Sequence, residues 1–160
     1  MTLLGIDYYG VPAYVNDFIQ KHHYEKNIYT GIQWECVEYV RRWYIQVFNL
    51  TFSPIKNAID IWNIPYVYIP NTKKQLRFDS VANGTNVEPK VGDILVFKKN
   101  EFYPYGHVGI ITRLTQDYLY LAEQNIDDTV WNKPYSRKIK RRVDTVLDPF
   151  VLGWKTIHNF

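Results

Sequence analysis

The stretch Trp34-Glu35-Cys36-Val37-Glu38-Tyr39-Val40-Arg41-Arg42-Trp43-Tyr44-Ile45-Gln46-Val47-Phe48 decides how this chain is read. Cys36, Val40, Trp43, Tyr44 and Val47 recur at spacings of 4, 3, 1 and 3, the apolar stripe of an amphipathic helix. Glu35, Glu38, Arg41, Arg42 and Gln46 fall off that stripe and are expected on the polar side. Glu38 is placed to pair with Arg42 one turn later. Cys36 sits in the first turn, and Gly31 with the residues just before it forms the loop leading in.

Beyond this helix the chain reads as strands. Gly92-Asp93 starts the run Ile94-Leu95-Val96-Phe97. His107-Val108-Gly109-Ile110-Ile111-Thr112 and Tyr118-Leu119-Tyr120-Leu121-Ala122-Glu123 follow, and a last strand is expected over 150–157. Each run is short, rich in β-branched or aromatic residues, and bounded by turn residues. Helices first and an antiparallel sheet afterwards make an α+β domain. The turn-rich patches at 49–54, 70–74, 83–90 and 98–106 are too short to separate two domains, so residues 1–160 are expected to form one domain.

The two central strands are joined by Arg113-Leu114-Thr115-Gln116-Asp117. A turn centred on Thr115 sets Glu123 opposite His107, whereas a two-residue turn at Thr115-Gln116 sets Gln124 there. The turn lacks Gly and Asn, so the register stays open between the two. Either residue gives His107 a polar neighbour able to orient an imidazole. Gly109 and Ile111 share the His107 face, which suits the side packed on the Cys36 helix.

This brings three chemical roles together. A cysteine at a helix N-terminus meets the positive end of the macrodipole and N–H groups without intrahelical partners, both of which favour a thiolate. A nearby imidazole can exchange a proton with it, and a polar group on the second ring nitrogen fixes the tautomer. The Cys36 backbone N–H at the helix start is aimed to donate to a tetrahedral oxyanion.

Composition narrows the field. The chain has 160 residues, one cysteine, 14 Tyr, 8 Phe and 5 Trp, with a formal net charge of +3. A single cysteine excludes an internal disulfide and any Cys-pair zinc site. No stretch approaches 18 consecutive apolar residues, so no transmembrane helix is expected. The start, Met1-Thr2-Leu3-Leu4-Gly5-Ile6-Asp7, lacks a basic n-region and a long apolar run, and the protein is expected to be cytoplasmic. His22-His23 has no third ligand at metal spacing, HExxH is absent, and no phosphate-cradling Gly-rich loop occurs. Neither metal nor cofactor is expected. Arg137-Lys138-Ile139-Lys140-Arg141-Arg142 holds five cations in six residues. With the whole chain near neutrality it reads as a solvated strand or loop rather than a nucleic-acid patch. Tyr39, Trp43, Tyr44, Trp62 and Trp154 are expected in the core.

Gly31-Ile32-Gln33-Trp34-Glu35-Cys36-Val37-Glu38-Tyr39-Val40-Arg41-Arg42-Trp43 resembles the nucleophile motif of the CHAP family, cysteine- and histidine-dependent amidohydrolases and peptidases with a papain-like core. Within that family it is most similar to the amidase domains of the bifunctional glutathionylspermidine synthetases/amidases. Further similarities follow in order at Gly10–Tyr14, Val91–Leu95, Tyr105–Thr112, Leu121–Asn125 and Leu152–Trp154, over nearly the whole chain. The resemblance implies a papain-like domain in which the nucleophile helix, among N-terminal helices, packs on the sheet. It implies Cys36 as nucleophile, His107 as general base and then acid, and Glu123 rather than Gln124 as the orienting acid. The reaction implied is amide hydrolysis through a thioester acyl-enzyme, the bond joining the glutathione glycine to spermidine.

Arg41 matches a family arginine that holds the glutathione part; its bland reading is a solvated side chain paired with Glu38. Gln33 and Trp34, beside the nucleophile, are assigned to substrate contact as well. Asp127, with Asp128, is assigned to the cationic polyamine end. Glu35 stands where relatives often carry glutamine. The bifunctional relatives also carry an ATP-dependent synthetase domain, and a stand-alone amidase is expected here. A peptidoglycan amidase or endopeptidase of the lysin kind, phage- or virion-associated, is the alternative, and a non-catalytic binding or virion component the third reading. No membrane or nucleic-acid partner is expected.

Overall fold

The computed structural model describes residues 1–160. Ahead of the predicted helix the chain forms strands, not helices. Two hairpins come first: β1 (Leu3–Ile6) with β2 (Pro12–Tyr14), and β3 (His22–Glu25) with β4 (Ile28–Ile32). The second hairpin closes on Lys26 and Asn27, both at positive φ (48° and 66°), as a two-residue turn matching the strand twist requires. The turn pair lacks the glycine, and the short strands lack the alternation, that would have announced them.

The stripe over 34–48 does form the helix, α1 (Cys36–Phe48). Asn49 ends it in the left-handed region (φ 54°), its amide bonded to the Ile45 carbonyl, a conformation Asn tolerates through its short polar side chain. A short 3-10 helix (Ala58–Asn63) follows. It leads into β5 (Tyr66–Tyr68), β6 (Gln75–Ala82), β7 (Ile94–Phe97), β8 (His107–Leu114), β9 (Tyr118–Ala122), β10 (Arg137–Arg142), β11 (Thr145–Val146) and β12 (Val151–Ile157). These eight strands make one sheet in the order β11-β10-β9-β8-β7-β12-β6-β5, each neighbouring pair antiparallel. No helix is long and apolar enough to cross a membrane.

The core has two parts, one on each side of the sheet. On one side Ile94, Val96, Val108, Ile110 and Ala122 pack with Tyr39, Val40, Trp43 and Tyr44 of α1. On the other, Leu95, Phe97, Ile111, Leu119, Leu121, Ile139 and Trp154 pack together. Tyr39, Trp43, Tyr44 and Trp154 are fully buried as expected, and Trp62 is partly buried against the first cluster.

Three expectations change. The polar side of α1 is not solvated: Glu38, Arg41 and Arg42 are 0%, 2% and 2% exposed. Two hairpins cover the helix on that side, and the ions are satisfied internally. Arg42 does pair with Glu38 (Nε to Oε2, 2.9 Å). The face expected to meet the Cys36 helix is the other one: Val108 and Ile110 face α1, and Ile111 belongs to the opposite core. The hairpin register also differs from both readings. The turn falls on Gln116-Asp117, with Thr115 and Tyr118 bonded across it, and the pairing shifts between Ile111 and Arg113, so Ile110 pairs with Ala122. A bulge in β8 that no local residue announces absorbs the extra position.

Candidate active site

The two key side chains meet because both start an element. Cys36 is the first residue of α1 and His107 the first of β8. His107 pairs with Phe97 across β7 and so lies on the face away from α1. Only its place at the end of the strand brings it to the helix N-terminus. Continuing the β8–β9 register by one pair sets Glu123 opposite Gly109, diagonal to His107 on the same face. Long side chains bridge such a diagonal, and Glu123 Oε1 lies 2.8 Å from His107 Nε2.

Burial and charge set the protonation. His107 is 2% exposed and Glu123 0%. Burial alone would lower the His107 pKa, but the interactions with Cys36 and Glu123 outweigh it and raise it to about 9. Burial would raise the Glu123 pKa; the bonds to His107 and the Arg137 charge prevail and hold it below the ordinary carboxylate range. With Nε2 committed to Glu123, Nδ1 is the nitrogen left to exchange a proton with the Cys36 thiol.

Cys36 and His107 open on a cavity of about 510 Å³. Tyr29, Glu35, Arg41, Asn125 and the loop Phe102-Tyr103-Pro104-Tyr105 contribute to its lining. Glu35 is half-buried and makes no side-chain hydrogen bond, and burial raises its pKa. Tyr103 stacks on the His107 ring (centroids 5.2 Å apart, planes at 15°).

The other assigned residues separate. Arg41 lines the cavity, but its guanidinium is committed to the carbonyls of Thr30 (2.7 Å), Ser53 (3.0 Å) and Phe52 (3.1 Å). It is neither solvated nor paired with Glu38, which corrects its bland reading. Gln33 donates to Asp17 (3.0 Å), and Trp34 is buried against Tyr14 and His23. Neither borders the cavity. Asp127 lines a different cavity, with Thr129, Trp131 and Ser136. Gln124, the other register candidate, ties the N-terminal hairpin to α1 through Tyr14 N–H, Arg42, Glu38 and the Glu35 carbonyl. His23 is explained by Thr30 Oγ1 (2.7 Å) and Glu38 (3.4 Å).

Sequence reasoning missed Arg137. It was grouped with a solvated basic run, yet its guanidinium binds Glu123 through Nε (2.9 Å) and Nη2 (3.1 Å). The signal was the period of two: Arg137 shares a strand face with buried Ile139. Lys138, Lys140 and Arg142 are exposed, as expected of the run.

The CHAP domain model matches residues 27–125, a span that contains Cys36, His107 and Glu123. The chain is 28% identical to trypanothione synthetase of Crithidia fasciculata over 94% of its own length. It is 27% identical to the bifunctional glutathionylspermidine synthetase/amidase of Escherichia coli (strain K12) over 96%. Glutathionylspermidine synthase of Crithidia fasciculata is 28% identical over 79% of this chain. The chain spans 25%, 28% and 19% of the length of those three relatives. With most of its length matched by the family model, and with one helix set against a large antiparallel sheet, the chain belongs to the CHAP domain family.

Proposed function

We propose that the protein is a cysteine-dependent amide hydrolase acting on a glutathione–polyamine conjugate. The observation that carries this reading is the buried chain Cys36, His107, Glu123 opening on a single cavity. The helix N-terminus and an imidazolium stabilise a Cys36 thiolate. The thiolate attacks the amide carbonyl, and the developing oxyanion takes the Cys36 backbone N–H, which in the first turn of α1 has no intrahelical acceptor. His107 gives its proton to the leaving amine, and a thioester to Cys36 remains. His107, now neutral, takes a proton from water, which attacks the thioester; the acid leaves and the thiolate–imidazolium pair returns. Glu123 keeps the imidazole oriented and its charged form stabilised throughout.

The substrate class rests on the two relatives named for glutathionylspermidine, which match most of this chain, and on the charges of the cavity. A polyamine leaving group is cationic. Glu35 offers the free carboxylate beside Cys36, the part assigned from sequence to Asp127, which lines another cavity. The test supplies purified protein with glutathionylspermidine and, separately, with peptidoglycan fragments. Release of spermidine with no cut in peptidoglycan is expected. Cleavage of peptidoglycan alone would move the protein to the lysin-like class.

A further inference from the structure

We infer that Arg137 is a positioning residue of this site: its guanidinium grips the Glu123 carboxylate with two nitrogens and fixes it in the orientation that holds His107. The inference rests on the proposed catalytic reading of Cys36, His107 and Glu123.

Both carboxylate oxygens of Glu123 are engaged. Oε1 meets His107 Nε2 at 2.8 Å and Arg137 Nη2 at 3.1 Å, and Oε2 accepts from Arg137 Nε at 2.9 Å. A planar fork gripping a carboxylate at two points fixes its plane as well as its position. A lysine ammonium, a point donor, would fix position alone. Glu123 follows the last residue of β9, where the ladder to β8 no longer constrains the chain. The grip from β10 replaces that constraint, because Arg137 pairs with Leu121 two residues earlier.

The guanidinium is itself held. It lies over the Phe97 ring (4.9 Å to the centroid), and Nη2 also donates to Tyr103 Oη at 3.3 Å. Phe97 and Tyr103 are the two rings against His107, at 5.5 Å and 5.2 Å between centroids. One guanidinium therefore touches the acid that orients the imidazole and both rings that wall it in. An arginine that merely tied β10 to β9 would need none of these contacts, since the main-chain ladder already does so.

The titratable groups that face Glu123 are His107 from β8 and Arg137 from β10, with Tyr103 reached through Arg137 and Cys36 through His107. Without Arg137 the fully buried carboxylate loses one of its two partners, and burial then favours its neutral form. Glu123 would take up a proton at higher pH than in the wild type. The variant should therefore lose activity on acidification earlier, while its alkaline limb stays in place or moves up.

The experiment compares Arg137→Ala, Arg137→Lys and the wild type by kcat, KM, pH profile and thermal melting. For Arg137→Ala, kcat should fall about 10- to 100-fold with KM within about twofold. The acid limb should move up by about one pH unit. Guanidinium at tens of millimolar should restore part of kcat, because Arg137 also borders the cavity of about 370 Å³ on the Asp127 side, through which a small cation can enter. Ethylammonium should restore much less. Arg137→Lys should melt like the wild type yet stay at least fivefold slower, which keeps the test valid if the alanine variant does not fold. A wild-type kcat in the lysine variant, or an alanine variant with an unmoved acid limb and no response to guanidinium, overturns the inference. The pH dependence of iodoacetamide reaction at Cys36 separates this failure from that of the site reading. If His107→Ala leaves that dependence unchanged, the Cys36–His107 reading fails; if His107→Ala shifts it and Arg137→Ala does not, only the role of Arg137 fails.

Discussion

Replacing Glu123 by glutamine removes one charge and keeps an oxygen that can accept from His107 Nε2–H. His107 stands at about 9 against an ordinary 6.5, a rise worth about 3 kcal/mol at about 1.4 kcal/mol per pH unit. Burial works against that rise, and Cys36 and Glu123 together overcome it. If Glu123 supplies about half, its loss removes roughly 1–2 kcal/mol of imidazolium stabilisation, a factor of about 10 in kcat/KM. Activity on the alkaline side is lost as the imidazolium deprotonates, so the alkaline limb should move down from near 9 by about one pH unit. The sign for stability follows from the same shift. A group whose pKa is raised on folding stabilises fully below its unfolded value, near 6.5, and that stabilisation is lost as pH rises through about 9. The wild type should therefore lose more melting temperature than Glu123→Gln between those limits. The assay is kcat/KM against pH for both proteins, with melting curves in the same buffers. An alkaline limb that stays where it was in Glu123→Gln, with kcat/KM unchanged, would refute the argument.

Three further outcomes are expected. Asp93 is 2% exposed, burial raises its carboxyl to about 7, and it accepts the Lys90 amide at 2.8 Å. A carboxyl raised on folding makes the protein less stable as pH climbs from 3.8 to about 7, so above pH 7 Asp93→Asn should be more stable by up to about 4 kcal/mol and melt higher, with little change near pH 4; a variant less stable at every pH would contradict this. Arg41→Met leaves the Thr30, Phe52 and Ser53 carbonyls without their donor, which should cost about 3 kcal/mol, roughly 10 °C in melting temperature; a raised KM with unchanged melting would instead make Arg41 a substrate contact. Glu35→Gln should raise KM for a conjugate carrying a free polyamine amine several-fold and leave KM for an uncharged amide unchanged, and equal effects on both would remove Glu35 from recognition of the cation.

What the sequence carried and what it hid differ in kind. The helix over 34–48 and the strands at Ile94, His107, Tyr118 and Val151 were legible because each has an apolar period of its own. The hairpins of residues 3–32 were not, because partners elsewhere cover their mixed residues, and the run 137–142 read only as a strand or loop, with a single buried residue, Ile139, among its cations. The same cause hid the surroundings of the helix. Glu38, Arg41 and Arg42 look like a solvated face, and only the packed hairpins and the Thr30, Phe52 and Ser53 carbonyls make them interior. Glu38 is held near 2 against the pull of burial by His23, Arg42 and Thr30; helical spacing announces only Arg42 among them, one turn on. Glu123 was singled out by motif resemblance, while the register argument meant to reach it misplaced the turn and could not foresee the bulge after Ile111. Arg137 was hidden by its neighbours: a run of cations masks one whose face is the inner one.

The central claim is that Cys36 performs the amide cleavage. The most direct measurement is spermidine released from glutathionylspermidine by the wild type and by Cys36→Ala, with melting curves showing that both are folded. Steady turnover by the wild type, and a loss of at least about 10³-fold in the variant at an unchanged melting temperature, is the result this account predicts. Turnover by Cys36→Ala at the wild-type rate would contradict it.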